Sequence, residues 1–525
     1  MEIGYFSLVL HTHLPYVRHP EHAFHLEEDW LFEAITETYL PLLKVFHALE
    51  KDQIPFRITM SLTPPLLAML KDPLLQERYI AHLKRLIALA EKELERTLLD
   101  SLLNKVAQFY HTRLLECEHL YIEEYQCDLV SAFRHFQDIG CLEIISSAAT
   151  HGFLPLLNVS PEAVRAQVQT AVEDYERYFN RSPGGFWLPE CGYYPGLDEV
   201  LKNSGIRFFF LDAHALLYGN PRPRFGMFSA VRCPSGIFAF GRDIETSKIV
   251  WSKEDGYPGD GYYREFYRDI GYDLDWEYIS PFFPDGNRKN TGLKYYRITD
   301  RGSHNKMIYE PSVALERAES HALHFLSSRV AQVRELFKEL KKRPIIVSMY
   351  DTELFGHWWF EGIAWLDLLI RKMAAQDEIK MILPHEYLEE NPVHQTITPS
   401  QSSWGDRGYH EFWLNEKNDW MYRHLHQASF RMVELARAFA EPSPLEKRAL
   451  NQAARELLLA QASDWAFIMR TGTMVSYADK RVHDHLARFH RLYRDLMNKT
   501  LDVSWIEQVE LRDDIFPGVN YRVYA

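Results

Sequence analysis

Seven segments of the 525-residue chain end an apolar run in side chains able to do chemistry. YFSLVL leads into His11-Thr12-His13, FRITMSL into Thr63-Pro64-Pro65, and LEIISSAA into Thr150-His151-Gly152. GGFWLP leads into Glu190, IRFFFL into Asp212-Ala213-His214, PIIVSMY into Asp351-Thr352-Glu353, and KMIL into Pro384-His385-Glu386. Glu190 and Asp351 form the leading pair. In GFWLPECGYY a carboxylate sits among rings, where ionisation is costly unless the charge is used. Two carboxylates across one cleft can break a glycosidic bond, one as nucleophile and the other, with a raised pKa, as acid and then base. The competing reading for each is a helix N-cap or an ion-pair partner.

His11 and His13 alternate on one strand end. Two imidazoles so placed can ligate zinc, but a catalytic zinc takes three protein ligands. No HExxH or comparable motif follows, and His151, His214, His357 or His385 would have to be brought in by the fold. The reading favoured here is that these histidines bond sugar hydroxyls or orient carboxylates, with no metal. Of the twelve tryptophans, Trp358, Trp359, Trp365, Trp404, Trp413 and Trp420 fall within one stretch of the chain. Trp404 and Trp413 lie in the polar segment SSWGDRGYHEFWLNEKNDW and are expected to face a ligand. Trp365 and Trp465 lie in helical patterns and are expected in the core. In SKEDGYPGDGYYREFYRD, glycines flank Tyr257-Pro258, which places Tyr257 at a turn tip.

The elements that must hold these groups are strands buried on both faces, since the runs are continuously apolar. Helical stretches such as Ser160–Phe179 and Leu315–Lys341 separate several of them. Strand, helix, strand implies a parallel sheet with right-handed crossovers, and seven such strands suggest a closed or nearly closed β/α barrel. Polar residues at C-terminal strand ends are where barrel active sites lie. Residues 66–140 read as a helical insertion and 219–299 as a loop-rich one, both interrupting a catalytic region of residues 1–415. Residues 416–525 read as a C-terminal helical domain.

A hydrophobic fraction of 46% and a charged fraction of 25% describe an ordinary globular protein. The net charge of −14, with no basic run, argues against nucleic acid as a partner. Five cysteines without CxxC spacing fit free thiols in a reducing cytoplasm. No apolar run is long enough to span a membrane, and the N-terminus does not read as a signal peptide.

Taken together, HTHLP (His11–Pro15), THGFLP (Thr150–Pro155), GFWLPECGY, YDTELFGHWWFEG (Tyr350–Gly362) and the Trp404–Trp420 stretch resemble the five signatures of glycoside hydrolase family 57, in order. The layout is most similar to the family's 1,4-α-glucan branching enzymes and a closely similar α-amylase group. The resemblance implies a (β/α)7 barrel with an inserted and a C-terminal helical domain. It implies a retaining mechanism without metal or other cofactor, acting on an α-1,4-glucan. By motif, Glu190 matches the nucleophile and Asp351 the general acid/base. His11, His13 and His151 match sugar-contacting positions, and Trp404 and Trp413 aromatic subsites. Tyr257 resembles a loop tyrosine associated with branching, and Trp30, Arg264 and Trp276 are further candidates at the cleft. The alternatives are an α-amylase or 4-α-glucanotransferase with the same residues, a metal-dependent deacetylase using His11 and His13, and a non-catalytic glucan-binding protein.

Overall fold

The computed structural model describes residues 2–252, 256–300, 302 and 305–525. Its nine strands are β1 Gly4–Thr12, β2 Ile58–Leu62, β3 Leu142–Ser147, β4 Gly185–Trp187, β5 Phe208–Leu211, β6 Val231–Arg232, β7 Phe238–Gly241, β8 Ile345–Asp351 and β9 Ile379–Met381. Seven of them run parallel in the order β7-β5-β4-β3-β2-β1-β8. The amide of Asp243, just past β7, donates to Val347 O of β8 at 2.8 Å and bridges the seam. The ring is a seven-stranded β/α barrel. β6 adds an antiparallel edge to β7, and β9 pairs only with the start of β1.

The sequence reading of seven strands is therefore right in number and wrong in one member. KMIL overlaps β9, Ile379–Met381, which lies outside the ring. The seventh ring strand, Phe238–Gly241, lies inside the stretch read as loop-rich insertion. Four residues among glycines, prolines and tyrosines give too short an apolar run to stand out.

Side-chain alternation explains how the barrel aims its chemistry. On each strand every second residue faces inward. Tyr5 and Val9 of β1, Trp187 of β4, Phe208 and Phe210 of β5, Phe240 of β7, and Val347 and Met349 of β8 form the barrel's inner core. Phe6, Leu8 and Leu10 of β1 and Ile58 and Met60 of β2 belong to the larger core that includes the helices. Continuing the inward parity past the apolar layer reaches His11 and His13 from β1, Ser61 and Thr63 from β2, Asp212 from β5, Arg242 from β7, and Asp351 and Glu353 from β8. The register places His11 opposite both Ser61 and Asp351.

Between β2 and β3 run helices Pro64–Leu70, Pro73–Arg96, Ser101–His119 and Leu129–Asp138. The last three start behind Asp72, Asp100 and Asp128, whose carboxylates accept the exposed first-turn amides. The crossover helices are Pro161–Phe179 and Pro311–Leu340. After the barrel come Asp419–Ala438, Pro444–Ala460, Ser463–Thr471, Val475–Asn498 and Val503–Arg512. These helices dock onto the barrel beside β3: Gly152 bridges to Ala462, and the Ser463 amide donates to His151 O at 3.1 Å.

Candidate active site

A cavity of about 1710 Å³ opens at the C-terminal ends of the strands, lined by Glu190, Asp351, Glu353, Asp464, Arg242 and Trp404 among others. Glu190 enters it from a turn, Pro189–Cys191, that follows β4. Its backbone is left-handed, with φ +60°, as is that of Cys191. A non-glycine residue held there costs on the order of 1–3 kcal/mol and persists only when its surroundings over-determine it. Here they do. Glu190 O accepts the Trp404 amide at 2.9 Å, Oε2 accepts Trp404 Nε1 at 2.8 Å, and Oε1 accepts Ser463 Oγ at 3.2 Å. Burial pushes the Glu190 carboxyl up to about 7, with nearby Asp464 adding to the rise, although the two donors and His13 favour the anion.

Asp351, at the end of β8, differs in surroundings. Burial, then the negative charges of Glu353 and Glu190, hold its carboxyl well above the aspartate range, against the pull of Arg242. No donor among the described residues bonds it. Glu353 accepts Tyr39 O–H at 2.6 Å and is likewise raised by burial to about 7. The Arg242 guanidinium lies over the Trp404 ring, 5.1 Å from its centroid, and 3.5 Å from Asp212. Of two buried carboxyls, the one with hydrogen-bond donors is suited to act as an anion and the one without to carry a proton.

The histidines are brought together as the sequence suggested, but their nitrogens are occupied. His11 Nδ1 meets Ser61 Oγ at 2.6 Å and its Nε2 meets His151 Nε2 at 3.0 Å. His151 Nδ1 meets Ser463 Oγ at 2.9 Å. His13 Nδ1 meets Thr63 Oγ1 at 2.9 Å, and its Nε2 lies 3.1 Å from both oxygens of Asp464. All three histidines line the cavity, and each of their ring nitrogens also has a partner within the protein. Burial holds His11 and His151 well below the usual histidine range. Burial would lower His13 too, but Asp464, with Glu190 and Glu353 beyond it, more than offsets this and raises it.

Metal ligation also looks different in three dimensions. The third group missing from the sequence is supplied by Asp464, which with His13 and His151 brings three donor atoms within 4.8 Å of one another. The donor set suits a divalent cation by type. Hydrogen bonds to Thr63, Ser463 and His11, and the His13–Asp464 contact itself, also account for every one of these groups.

The aromatic expectations divide. Trp404 lines the cavity and is half-buried. Trp413 also lines it but is only 1% exposed, because its ring stacks on Phe153 at 4.6 Å. Trp365 and Trp465 are fully buried, as expected. Tyr257 is not at a tip. It is 6% exposed, stacked on His321 at 4.4 Å with its hydroxyl 2.8 Å from His324 Nδ1, while the adjacent Pro258 and Gly259 reach the cavity. The neighbouring Lys253, Glu254 and Asp255 lie outside the described residues. Arg264 lines the cavity with its guanidinium committed to Glu37 at 2.7 Å, which holds the Glu37 carboxyl well below its usual range despite burial. Trp30 and Trp276 are not among the lining residues. Trp30 packs edge-on against Tyr477, and Trp276 stacks on Phe283 beneath Arg288.

Arg242, Ser463 and Asp464 carried no signal in the strand-end pattern. Arg242 follows the unrecognised β7, and the other two open a helix far along the chain. Glu353 was visible as the next inward residue after Asp351.

The description "Glycosyl hydrolase family 57" belongs to a family model that matches residues 7–400, and "1,4-alpha-glucan branching enzyme, C-terminal" to one that matches 424–524. The 1,4-alpha-glucan branching enzyme TK1436 of Thermococcus kodakarensis is 35% identical, over 98% of this chain and 78% of its own. Among solved structures, the novel alpha-amylase AmyC from Thermotoga maritima has a TM-score of 0.94 at 44% identity, covering 100% of this chain and 99% of that one. A GH57-type branching enzyme from Pyrococcus horikoshii has a TM-score of 0.90 at 34% identity, covering 99% and 97%.

Proposed function

The chain belongs to glycosyl hydrolase family 57, and from that premise we propose that it is a 1,4-alpha-glucan branching enzyme. The observation that carries this reading is similarity along the whole length of this chain to branching enzymes, including the branching-enzyme C-terminal region, which here brings Asp464 to the cavity and Ser463 to Glu190.

In the mechanism we propose, Glu190 attacks the anomeric carbon of an α-1,4-linked glucan while Asp351 protonates the departing oxygen. A glycosyl ester forms on Glu190. Asp351, now ionised, takes the proton from the 6-hydroxyl of a second chain as that oxygen displaces Glu190 and closes an α-1,6 link. The hydrogen bonds from Trp404 and Ser463 support the Glu190 anion, and the donor-free, negatively surrounded site of Asp351 supports its protonated form. Trp404 supplies a ring face for a glucose unit, and Trp413, stacked on Phe153, backs the cavity wall behind it. The wall made by Pro258, Gly259 and the Trp404 loop would delay water. The substrate is then a glycogen-like or amylose-like glucan, and the five unpaired cysteines fit a cytoplasmic setting. No helix among the described residues is long and apolar enough to cross a membrane.

Amylose incubated with the protein is expected to gain α-1,6 linkages by proton NMR without a matching rise in reducing ends. The 44% identity to AmyC favours an α-amylase as the second reading. Reducing ends accumulating with no α-1,6 signal would select it, and re-spaced linear chains would select a glucanotransferase.

We further propose that the reaction needs no metal. Activity is expected to survive dialysis against EDTA. Loss of activity on chelation, restored by zinc, would assign the His13–His151–Asp464 cluster as a metal site instead.

A further inference from the structure

Four buried side chains join Glu190 to a point on the far side of the barrel mouth, and the donor and acceptor roles along them have one consistent assignment. Ser61 is fully buried and Oγ accepts the Thr12 amide at 3.4 Å. Its hydroxyl hydrogen has one acceptor among the described residues, His11 Nδ1. His11 must then carry its proton on Nε2 and donate it to His151 Nε2. His151 must carry its own on Nδ1 and donate to Ser463 Oγ. Ser463, its lone pair used, turns its O–H to Glu190 Oε1. Reversing the chain would give Ser61 two incoming donors and leave its own hydrogen without a partner, a cost on the order of 1–3 kcal/mol in a buried site.

We propose that Ser61, His11, His151 and Ser463 form a one-way hydrogen-bond relay that keeps an O–H donor fixed on Glu190. The inference rests on Glu190 being the nucleophile. These four are positioning residues: each acts on the carboxylate through the next. Two further features hold the relay in this state. His13 stacks on His151 with ring centroids 3.9 Å apart and pairs with Asp464; burial first, and then the neighbouring His13, disfavour protonating His151 and His11. Trp187 stacks on His11 at 4.4 Å and fixes its ring plane. His151 is itself held left-handed, with φ +56°, which turns its ring between the two partners.

The test uses the full-length protein and the pH profile of kcat/KM on an aryl maltooligoside, whose acid limb reports ionisation of the nucleophile. The titratable groups facing Glu190 are His13, His151, Cys191, Asp351, Tyr422 and Asp464, with Glu353 and Arg242 acting through their neighbours. None is changed in the variants. Ser463→Ala removes the donor directly and is expected to move the acid limb up by about one unit, the scale of a hydrogen bond to a charged group. Ser61→Ala is the sharper variant. With its donor gone, His11 is free to take the other tautomer, His151 to follow, and Ser463 to turn its hydroxyl onto His151 Nδ1. The acid limb should move in the same direction although Ser61 does not touch Glu190, and Ser463→Thr should restore the wild-type limb. An unmoved limb in Ser463→Ala, or a limb moved by Ser463→Ala but not by Ser61→Ala, overturns the relay. Neutron diffraction from the unmutated protein gives an independent reading. Deuterium on His11 Nε2 and His151 Nδ1 is expected, and the opposite tautomers would overturn the proposal. If Glu190→Gln stayed active, the nucleophile assignment would fall while the tautomer result stood.

Discussion

Glu190→Gln is expected to lower kcat/KM by on the order of 10⁴–10⁶-fold, the range seen when a covalent nucleophile is removed, and to leave a folded protein that outlasts the wild type at pH 8. The first effect follows from chemistry. An amide of the same volume keeps one of the two accepted hydrogen bonds, since only its oxygen can accept from Trp404 or Ser463, and it forms no glycosyl ester. The second follows from linkage. The Glu190 carboxyl titrates near 7 in the fold, chiefly through burial, against an ordinary value of 4.5. A carboxyl raised by folding adds stability below its unfolded pKa, and that contribution is lost as pH rises through the folded value. Above pH 7 the native protein therefore holds a buried charge that glutamine does not carry. The gain is up to about 3 kcal/mol at pH 8 and near zero at pH 4. Activity assays together with melting curves at both pH values check it. Near-wild-type turnover would remove Glu190 from the chemistry, and equal melting at pH 8 would mean the site stays wet.

Asp351→Asn is expected to reduce turnover of amylose by about 10²–10⁴-fold, the usual contribution of a general acid. The loss should depend on the leaving group. A sugar oxygen needs a proton as it departs, whereas a nitrophenolate does not. On a nitrophenyl maltooligoside the first step should be nearly spared and the second, which needs Asp351 as base, should limit. Azide, an anion that attacks without giving up a proton, should then accelerate turnover and leave a glycosyl azide. Equal losses on both substrates with no azide effect would mean that Asp351 holds the glucan or the fold and does not move a proton.

Much of this arrangement is legible in the sequence, for reasons that can be named. β1, β2, β3, β5 and β8 are buried on both faces, so their apolar runs are continuous and their ends are abrupt. A carboxylate that follows such a run, in inward parity, has nowhere to point but the barrel mouth. That is why Asp351 could be picked out, whereas Glu190, which reaches the mouth through a left-handed turn after β4, stood out by the aromatic residues around it. What failed was short or distant. Phe238–Gly241 is four residues long, and with it went Arg242. Trp30, Tyr257 and Trp276 were cleft candidates by motif alone; that Trp30 packs on Tyr477, Tyr257 on His321 and Trp276 on Phe283 is a matter of tertiary packing that no local pattern carries. The partners of the histidines, Ser61 and Ser463, went unnoticed because hydroxyl residues are too common in any sequence to stand out.

Ser463 and Asp464 stand at the start of a helix that belongs, by chain order, to the region after the barrel, yet one bonds Glu190 and the other pairs with His13. The proposed catalytic centre is thus shared across a seam and draws on both sides of it. Heat or protease need not melt the barrel to silence it; loosening the contact at Gly152 and Ala462 by an ångström or two withdraws a donor and an anion together. Inactivation would then run ahead of unfolding, and hardening the protein for industrial or thermal use would begin at that seam instead of in either hydrophobic core.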